Sequence, residues 1–393
     1  MKRHKRKKNN NTKAQSVVVV GAGMFVCGRG TNEYGTVLPT LIEEQSKGNI
    51  KDIWVVATSQ KSIEEARKKA RATSRRLEVS PRIKYLPKTG KSTSAYKEAF
   101  KHVKRPASVI IATPDHIHGR IAKDAIEERL DTLVVKPIAP TFKEAQKLVI
   151  LLDKHNVYGA VEFHKHWDES NLLLRQMIED GSLGELRYFS VEYSQRKVMQ
   201  DMFKKWLKKT NVFQYLGIHY VDLIGFMTGA KPVRVMATAQ KGMKSDDAIE
   251  AVIEWRMPKI RHTFRSTIST NWIDPNTTSA MSYQRILAVG SRGRCEEDQK
   301  NRGVELVTDK GVESINPYFT KIYRGGDGNM GVFGYGPASI RQFLKDTADL
   351  REGNVTRKEL EKNRPTFARS LASIAVIEAV AKSLREKNKW IAV

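Results

Sequence analysis

Apolar residues follow two rhythms along this chain. Up to about residue 163 they come as short unbroken runs, at 16–20 (SVVVV), 53–57, 108–112 and 132–135, separated by segments whose apolar positions recur three and four apart. Runs without polar alternation mark strands covered on both faces, and so predict a parallel sheet. A further strand is predicted at 82–86 and another at 158–163, with helices at 37–45, 62–75, 92–103 and 142–155. The unit around which the rest is organised is 108–140: strand, tight turn, helix, strand and a Lys-Pro stop. Thr113 is read as its N-cap and Pro114 as its first helical residue, with Ile117, Ile121, Ala125 and Ile126 at helical spacing. Repeated β-α alternation is the signature of a doubly wound sheet, in which ligands bind beyond the carboxyl ends of the strands. Thr113 and Lys136 stand at such ends.

Past residue 163 polar and apolar residues more often alternate, at 185–194, 232–240, 248–257, 262–271 and 284–289. That pattern suits antiparallel strands with one wet face. Helices are predicted at 168–180 and 213–227, stopped by Gly181 and Gly229, and at 339–350 and 367–386. The expected organisation is a disordered basic arm at 1–15, a Rossmann domain at 16–138, and an α+β domain at 139–393 that binds substrate and mediates oligomerisation.

Charge changes this picture little. The chain carries a formal net charge of +26, and the seven lysines and arginines before Ala14 leave +19 elsewhere. The excess suits an anionic small molecule, nucleic acid or an acidic surface, and equally a solvated basic surface. Two cysteines, Cys27 and Cys295, argue neither a disulfide framework nor a zinc site. The basic arm runs into a glycine-interrupted strand instead of an apolar signal core, and no stretch is long enough to span a membrane. A cytoplasmic protein with reduced thiols is expected.

The first strand leads into Gly21-Ala22-Gly23-Met24-Phe25-Val26. The first glycine permits a sharp turn and the second lets a pyrophosphate approach backbone N–H groups; the third glycine of the dinucleotide fingerprint is Val26. Alone, this motif is met as often in a plain strand-to-helix turn. The second strand ends in Thr58-Ser59-Gln60-Lys61, with no carboxylate to accept hydrogen bonds from an adenosine ribose. Ser59 and Lys61 suit a 2′-phosphate, which favours NADP slightly over NAD, although Lys61 also fits the solvated start of a helix.

The 213–227 segment, FQYLGIHYVDLIGFM, is apolar nearly all round and is therefore predicted to be buried. Tyr215, His219 and Asp222 share one face, either as a satisfied core cluster or as a site in which His219 acts as general base. Lys136, closing a buried strand before Pro137, is placed to polarise a substrate oxygen, or else is solvated. The run EFHKHWD at 162–168 offers His164 and His166 without a third metal ligand, so no metal is expected. Lys165 and Trp167 suit a polyol or packing between the two halves.

Taken together, GAGMF, ATPDHIH, VVKP, HKHWD and YLGIHYVD resemble, in order over 16–240, the Gfo/Idh/MocA family of glucose-fructose oxidoreductase and inositol dehydrogenase relatives. The resemblance implies a Rossmann domain, a second domain with a large open antiparallel sheet often used for oligomerisation, and NAD(P)-dependent chemistry on sugars or cyclitols. It places the family's lysine on Lys136, its Thr-Pro turn on Thr113 and Pro114, its later histidine on His118 and its catalytic histidine on His219. The chain departs from the family at two points: Val135 replaces the glutamate before the lysine, and Tyr215 replaces the aspartate four residues before the histidine.

The expected catalytic set is Lys136, His219 and Tyr215. The cofactor set is Gly21, Gly23, Met24, Phe25, Thr58, Ser59, Lys61, Thr113, Pro114, His118, Lys136 and Pro137, and the substrate set Lys165, Trp167 and Asp222. The activity expected is hydride transfer between NADP or NAD and a hydroxyl or ketone of a sugar, cyclitol or nucleotide sugar, in a homodimer or homotetramer, with neither membrane nor nucleic acid as a partner. The alternative is a non-catalytic dinucleotide or sugar sensor of the same fold.

Overall fold

The computed structural model describes residues 14–204, 206–242, 245–258 and 262–393. Its first sheet contains β1 (Gln15–Val20), β2 (Ile50–Val56), β3 (Ile83–Leu86), β4 (Ala107–Ile111), β5 (Asp131–Val135) and β6 (Gly159–Glu162). All are parallel, in the order β3-β2-β1-β4-β5-β6. The unbroken apolar runs are explained by where alternate side chains go. Val18, Val20, Val109 and Ile111 enter one core, and Val17, Val19, Ile110 and Leu133 enter the core on the opposite face. The connecting helices are α1 (Met24–Cys27), α2 (Val37–Ser46), α3 (Gln60–Leu77), α4 (Ala95–His102), α5 (His118–Glu127) and α6 (Phe142–His155). Strand order reverses between β1 and β4, the point at which such sheets open a ligand crevice.

The second sheet contains β7 (Leu186–Arg196), β8 (Lys231–Lys241), β9 (Asp246–Arg256), β10 (Thr263–Asp274), β11 (Ser282–Gly290), β12 (Arg294–Asp298) and the short β17 (Ile391–Ala392). Its order is β12-β11-β7-β10-β9-β8-β17, antiparallel at every pair except the parallel β7 and β10. In the chain, α7 (Glu169–Glu179) precedes β7, and α8 (Val198–Met202) and α9 (Ile218–Thr228) connect β7 to β8. Two hairpins, β13 (Val304–Thr308) with β14 (Gly311–Ile315) and β15 (Lys321–Arg324) with β16 (Met330–Phe333), precede α10 (Tyr335–Glu352), α11 (Arg357–Asn363) and α12 (Phe367–Arg385). The alternation signal did not expose these hairpins, because β13 is exposed at every position.

The carboxyl-terminal helices return to the first sheet. In α12, Phe367, Ile374 and Ile377 pack into the core beside β4, while Val376, Ala379 and Val380 pack into the core under the second sheet. One helix thus joins both halves.

Several expectations are corrected. The parallel sheet does not stop at residue 138, the expected limit of the Rossmann domain: α6 and β6 carry the β-α alternation to Glu162. Of the expected arm at 1–15, residues 1–13 lie outside the described residues, but Ala14 and Gln15 are buried. Gln15 starts β1, and its Nε2 donates to Leu344 O and Thr347 Oγ1 of α10 at 3.1 and 2.8 Å. Thr113 does not cap α5: its Oγ1 makes no hydrogen bond, and Pro114 is extended at φ −59°, ψ 140°. A 3₁₀ turn at Asp115–Ile117 intervenes before the helix. The helix expected at 213–227 opens as a π-helical turn at Phe213–Gly217, the wider winding often found at functional positions. Among the described residues no helix is long and apolar enough to cross a membrane.

Candidate active site

The glycine turn sits at the switch point. Gly21 donates its N–H to Val56 O and has φ +128°, and a Cβ there would lie 2.1 Å from Ala112 O. The first position must therefore be glycine so that β1, β2 and β4 can converge. At Gly23 a Cβ would meet nothing within 4 Å, so the backbone borders open space. Met24 and Phe25 begin α1, a single turn. Across the crevice mouth, Thr58 is exposed, and Ser59 caps α3 by accepting from Ser62 N. Lys61 is exposed beside it. Serine belongs here as a good N-cap, and the helix terminus carries the positive end of its dipole.

The next wall is built by β4, β5 and their turns. His118 is fully buried, with Nδ1 2.6 Å from Pro137 O and Nε2 2.6 Å from Thr113 O. It clamps the two strand-end turns together, so its nitrogens face protein carbonyls instead of the crevice. Thr113 Oγ1 remains buried and unpartnered at the same corner.

Lys136 follows β5 and is buried; its Nζ donates to Tyr215 O and lies 4.3 Å from the centroid of the Tyr215 ring. Burial pulls its ammonium down to about 8, opposed by the charges of Asp115 and Glu162. Asp115 belongs to the turn after β4, and its Oδ2 accepts from Gln214 Nε2 at 2.9 Å and Thr210 Oγ1 at 3.1 Å. These two carboxylates supply negative charge around the lysine from positions that a family pattern centred on 135 and 215 does not reveal. The Tyr215 ring packs against Phe203, 4.7 Å away, and Trp272, 6.4 Å away. Burial raises its phenol above the usual range, so it is a neutral group.

His219, on α9 one turn after Tyr215, is buried with an unpartnered Nδ1. Burial first, then the charge of Lys136 and its histidine and lysine neighbours, holds this imidazole well below its ordinary titration range. It is neutral near pH 7 and can accept a proton.

The substrate set separates. Lys165 Nζ donates to Gln284 Oε1 and Gln299 Oε1 at 2.5 and 2.6 Å and faces the ring of Tyr220 at 5.0 Å. Gln299 continues to Asp168, which Arg302 pairs at 2.9 Å. Lys165 therefore bolts the 164–167 turn to the second sheet. Trp167 lines a small internal gap with Ser339, Phe343 and Asp346. Asp222 meets His166 Nε2 and so does not orient His219, although Asp222 and His219 lie on the same helix. Of the expected residues, the structure thus brings Lys136, Tyr215, His219 and Thr113 together and turns Lys165, Trp167, Asp222 and His118 to structural partners.

Sequence reasoning passed over Asp115, and over Glu162 and His164 as a pair. His164 Nδ1 lies 2.9 Å from Glu162 Oε2, and its ring centroid is 5.0 Å from that of His219. The signal was present in the Glu-x-His spacing at the end of a strand predicted to be buried.

A glycine turn bordering open space, a capped helix at the end of β2, and unpartnered buried atoms on Thr113 and His219 fit a bound dinucleotide. These features define a dinucleotide-binding oxidoreductase fold. Residues 15–163 match the oxidoreductase family with an NAD-binding Rossmann fold, and 172–296 match the Gfo/Idh/MocA C-terminal domain. The chain belongs to the Gfo/Idh/MocA family. It is similar to the 2,7-anhydro-N-acetylneuraminate hydratase of Mediterraneibacter gnavus, 22% identical over 72% of this chain and 79% of that protein. It is also similar to the inositol 2-dehydrogenase of Rhizobium meliloti, with 22% identity and the same coverages. Among solved structures, the scyllo-inositol dehydrogenase of Lactobacillus casei with bound NAD(H) and scyllo-inositol superimposes at TM-score 0.65 and 14% identity, covering 97% of this chain and 99% of that one. A likeness at this identity testifies to the fold.

Proposed function

We propose that the protein is an NAD(P)-dependent oxidoreductase acting on a hydroxyl or ketone of a sugar, cyclitol or nucleotide sugar. The observation that carries this reading is the meeting of Lys136 and His219 beside the glycine turn: a buried ammonium and a buried neutral imidazole, at the carboxyl ends of a sheet built to hold a dinucleotide. The nicotinamide, when bound, supplies the acceptor or donor of hydride. Lys136 donates to the substrate oxygen and favours its alkoxide form. His219 takes the hydroxyl proton, which its neutral state permits. Thr113 Oγ1 and the Gly23 backbone hold the dinucleotide, and the α3 terminus with Ser59 and Lys61 receives the adenosine ribose, with a 2′-phosphate preferred because no carboxylate stands there. The exposed face of the second sheet, which includes Tyr188, Glu192 and Arg265, serves as the surface of a homodimer or homotetramer.

Thermal stabilisation by NAD and NADP identifies the cofactor, and a panel of sugars, cyclitols and nucleotide sugars read at the nicotinamide absorbance band identifies the substrate. Products are also analysed, because the likeness to a hydratase admits a reaction with no net absorbance change. Stabilisation by neither dinucleotide would overturn the reading. Binding without turnover on any compound would favour a sensor, to which Tyr215 in place of a carboxylate already points.

A further inference from the structure

Glu162 is the last residue of β6, 1% exposed, and both of its oxygens are occupied. Oε1 accepts from Ser339 Oγ of α10 at 2.8 Å, and Oε2 lies 2.9 Å from His164 Nδ1. A carboxylate held at both oxygens cannot turn away, so it fixes the plane of the imidazole. The ring is also confined on its other sides: Phe319, Tyr335 and Phe25 have centroids 5.1, 5.7 and 6.2 Å away. Phe25 comes from the glycine turn, and His219 from α9 at 5.0 Å. His164 therefore stands where the dinucleotide loop, the catalytic helix and the end of β6 converge. Among the described residues no hydrogen-bond partner meets its Nε2.

His219 is suited to take a proton and poorly suited to keep it. It lies in a buried pocket facing Lys136, Lys165, His164 and His166, and among the described residues no carboxylate is bonded to it; Asp222, on its own helix, is bonded to His166. Holding a positive charge there is costly unless it is passed to a paired group. His164 is such a group, since a carboxylate on Nδ1 leaves Nε2 as the proton acceptor and neutralises the imidazolium that forms, as an orienting carboxylate does for a catalytic histidine.

We propose that the Glu162–His164 pair is the proton relay of this site, receiving through Nε2 the proton that His219 removes from the substrate hydroxyl. This inference rests on the oxidoreductase reading above. In the oxidative direction the substrate O–H bond breaks and its proton goes to His219, while the electron pair forms the C=O bond as hydride leaves for the nicotinamide. The N–H bond of the His219 imidazolium then breaks as one forms at His164 Nε2, the proton crossing through one bridging water because the two rings stand 5.0 Å apart, centroid to centroid, without a direct hydrogen bond. Glu162 is a positioning residue, and the charge it carries never leaves it.

Nitrogen-15 NMR of histidine-labelled protein reads the tautomer without any substrate. Wild type is expected to carry the His164 proton on Nδ1, and Glu162→Ala to lose that preference. Turnover is then read with the compound returned by the substrate panel. His164→Ala is expected to lower kcat at least about tenfold, with dinucleotide affinity within twofold of wild type, and added imidazole is expected to restore the rate saturably. Should His164→Ala fail to fold, His164→Gln replaces it. A wild-type His164 protonated on Nε2, or a kcat within twofold of wild type in the His164 variant, would overturn the relay. A panel without turnover would sink the oxidoreductase reading instead, and the tautomer result keeps the two failures distinct.

Discussion

Lys136 donates to the backbone carbonyl of Tyr215 while its ammonium sits 4.3 Å from the centroid of that residue's ring. The tyrosine thus positions the lysine through its main chain and ring, and not through its hydroxyl. Tyr215→Phe should leave turnover within about threefold of wild type, whereas Lys136→Met should lower it at least about a hundredfold with dinucleotide binding retained. Steady-state kinetics beside dinucleotide titration separates the two.

Activity should fall as pH rises through about 8. Burial lowers the Lys136 ammonium to about 8, and in the proposed reaction the charged form is the one that polarises the substrate oxygen. Asp115 opposes that shift, so Asp115→Asn removes support for the ammonium and moves the alkaline fall to lower pH. A pH–rate profile of the variant that superimposes on wild type would remove Asp115 from the site.

The two glycines of the turn should behave differently when each is replaced by alanine. Gly21→Ala sets a Cβ 2.1 Å from Ala112 O at a positive φ and should destabilise the fold by about 2 kcal/mol or more. Gly23→Ala meets nothing in the protein; it should leave the denaturation midpoint unchanged and weaken dinucleotide binding at least about tenfold. Chemical denaturation and fluorescence titration on the same samples test both.

His118→Ala should cost about 2 kcal/mol or more, because it deprives the buried Pro137 carbonyl and the part-buried Thr113 carbonyl of their partner. Dinucleotide affinity should fall with stability, since the turn that carries Thr113 loses its clamp. Unchanged stability in urea denaturation would contradict the clamp.

Ser59→Asp should shift cofactor preference toward NAD while preserving stability, since aspartate caps a helix as well as serine does. The ratio of dissociation constants for NAD and NADP measures the shift.

The β-α alternation was legible because strands buried on both faces must be apolar at every position, as Val17 to Val20 and Val109 to Ile111 are. Lys136 and His219 were legible for a related reason: a charged and a titratable group inside apolar runs stand out from their surroundings. What the sequence concealed depends on partners far along the chain. Nothing local to Lys165 announces Gln284 and Gln299, and nothing local to Asp222 shows that it faces His166 instead of His219. Asp115 lay hidden for the same reason, its role resting on a contact with Gln214 99 positions away. Thr113 and Pro114 misled because a helix-start pattern cannot distinguish a cap from a turn whose hydroxyl is left unpartnered.

The returning helices have a consequence for how this chain can be divided. Gln15 is fastened to α10, Val161 N donates to Pro365 O, and Phe367 fills the core beside β4. A fragment cut after residue 163 would keep every strand of the nucleotide-binding sheet yet present bare apolar seats where Phe343 and Phe367 dock. Such a half would be sticky and short-lived in isolation, so the dinucleotide platform and its catalytic partner stand or fall as one cooperative unit.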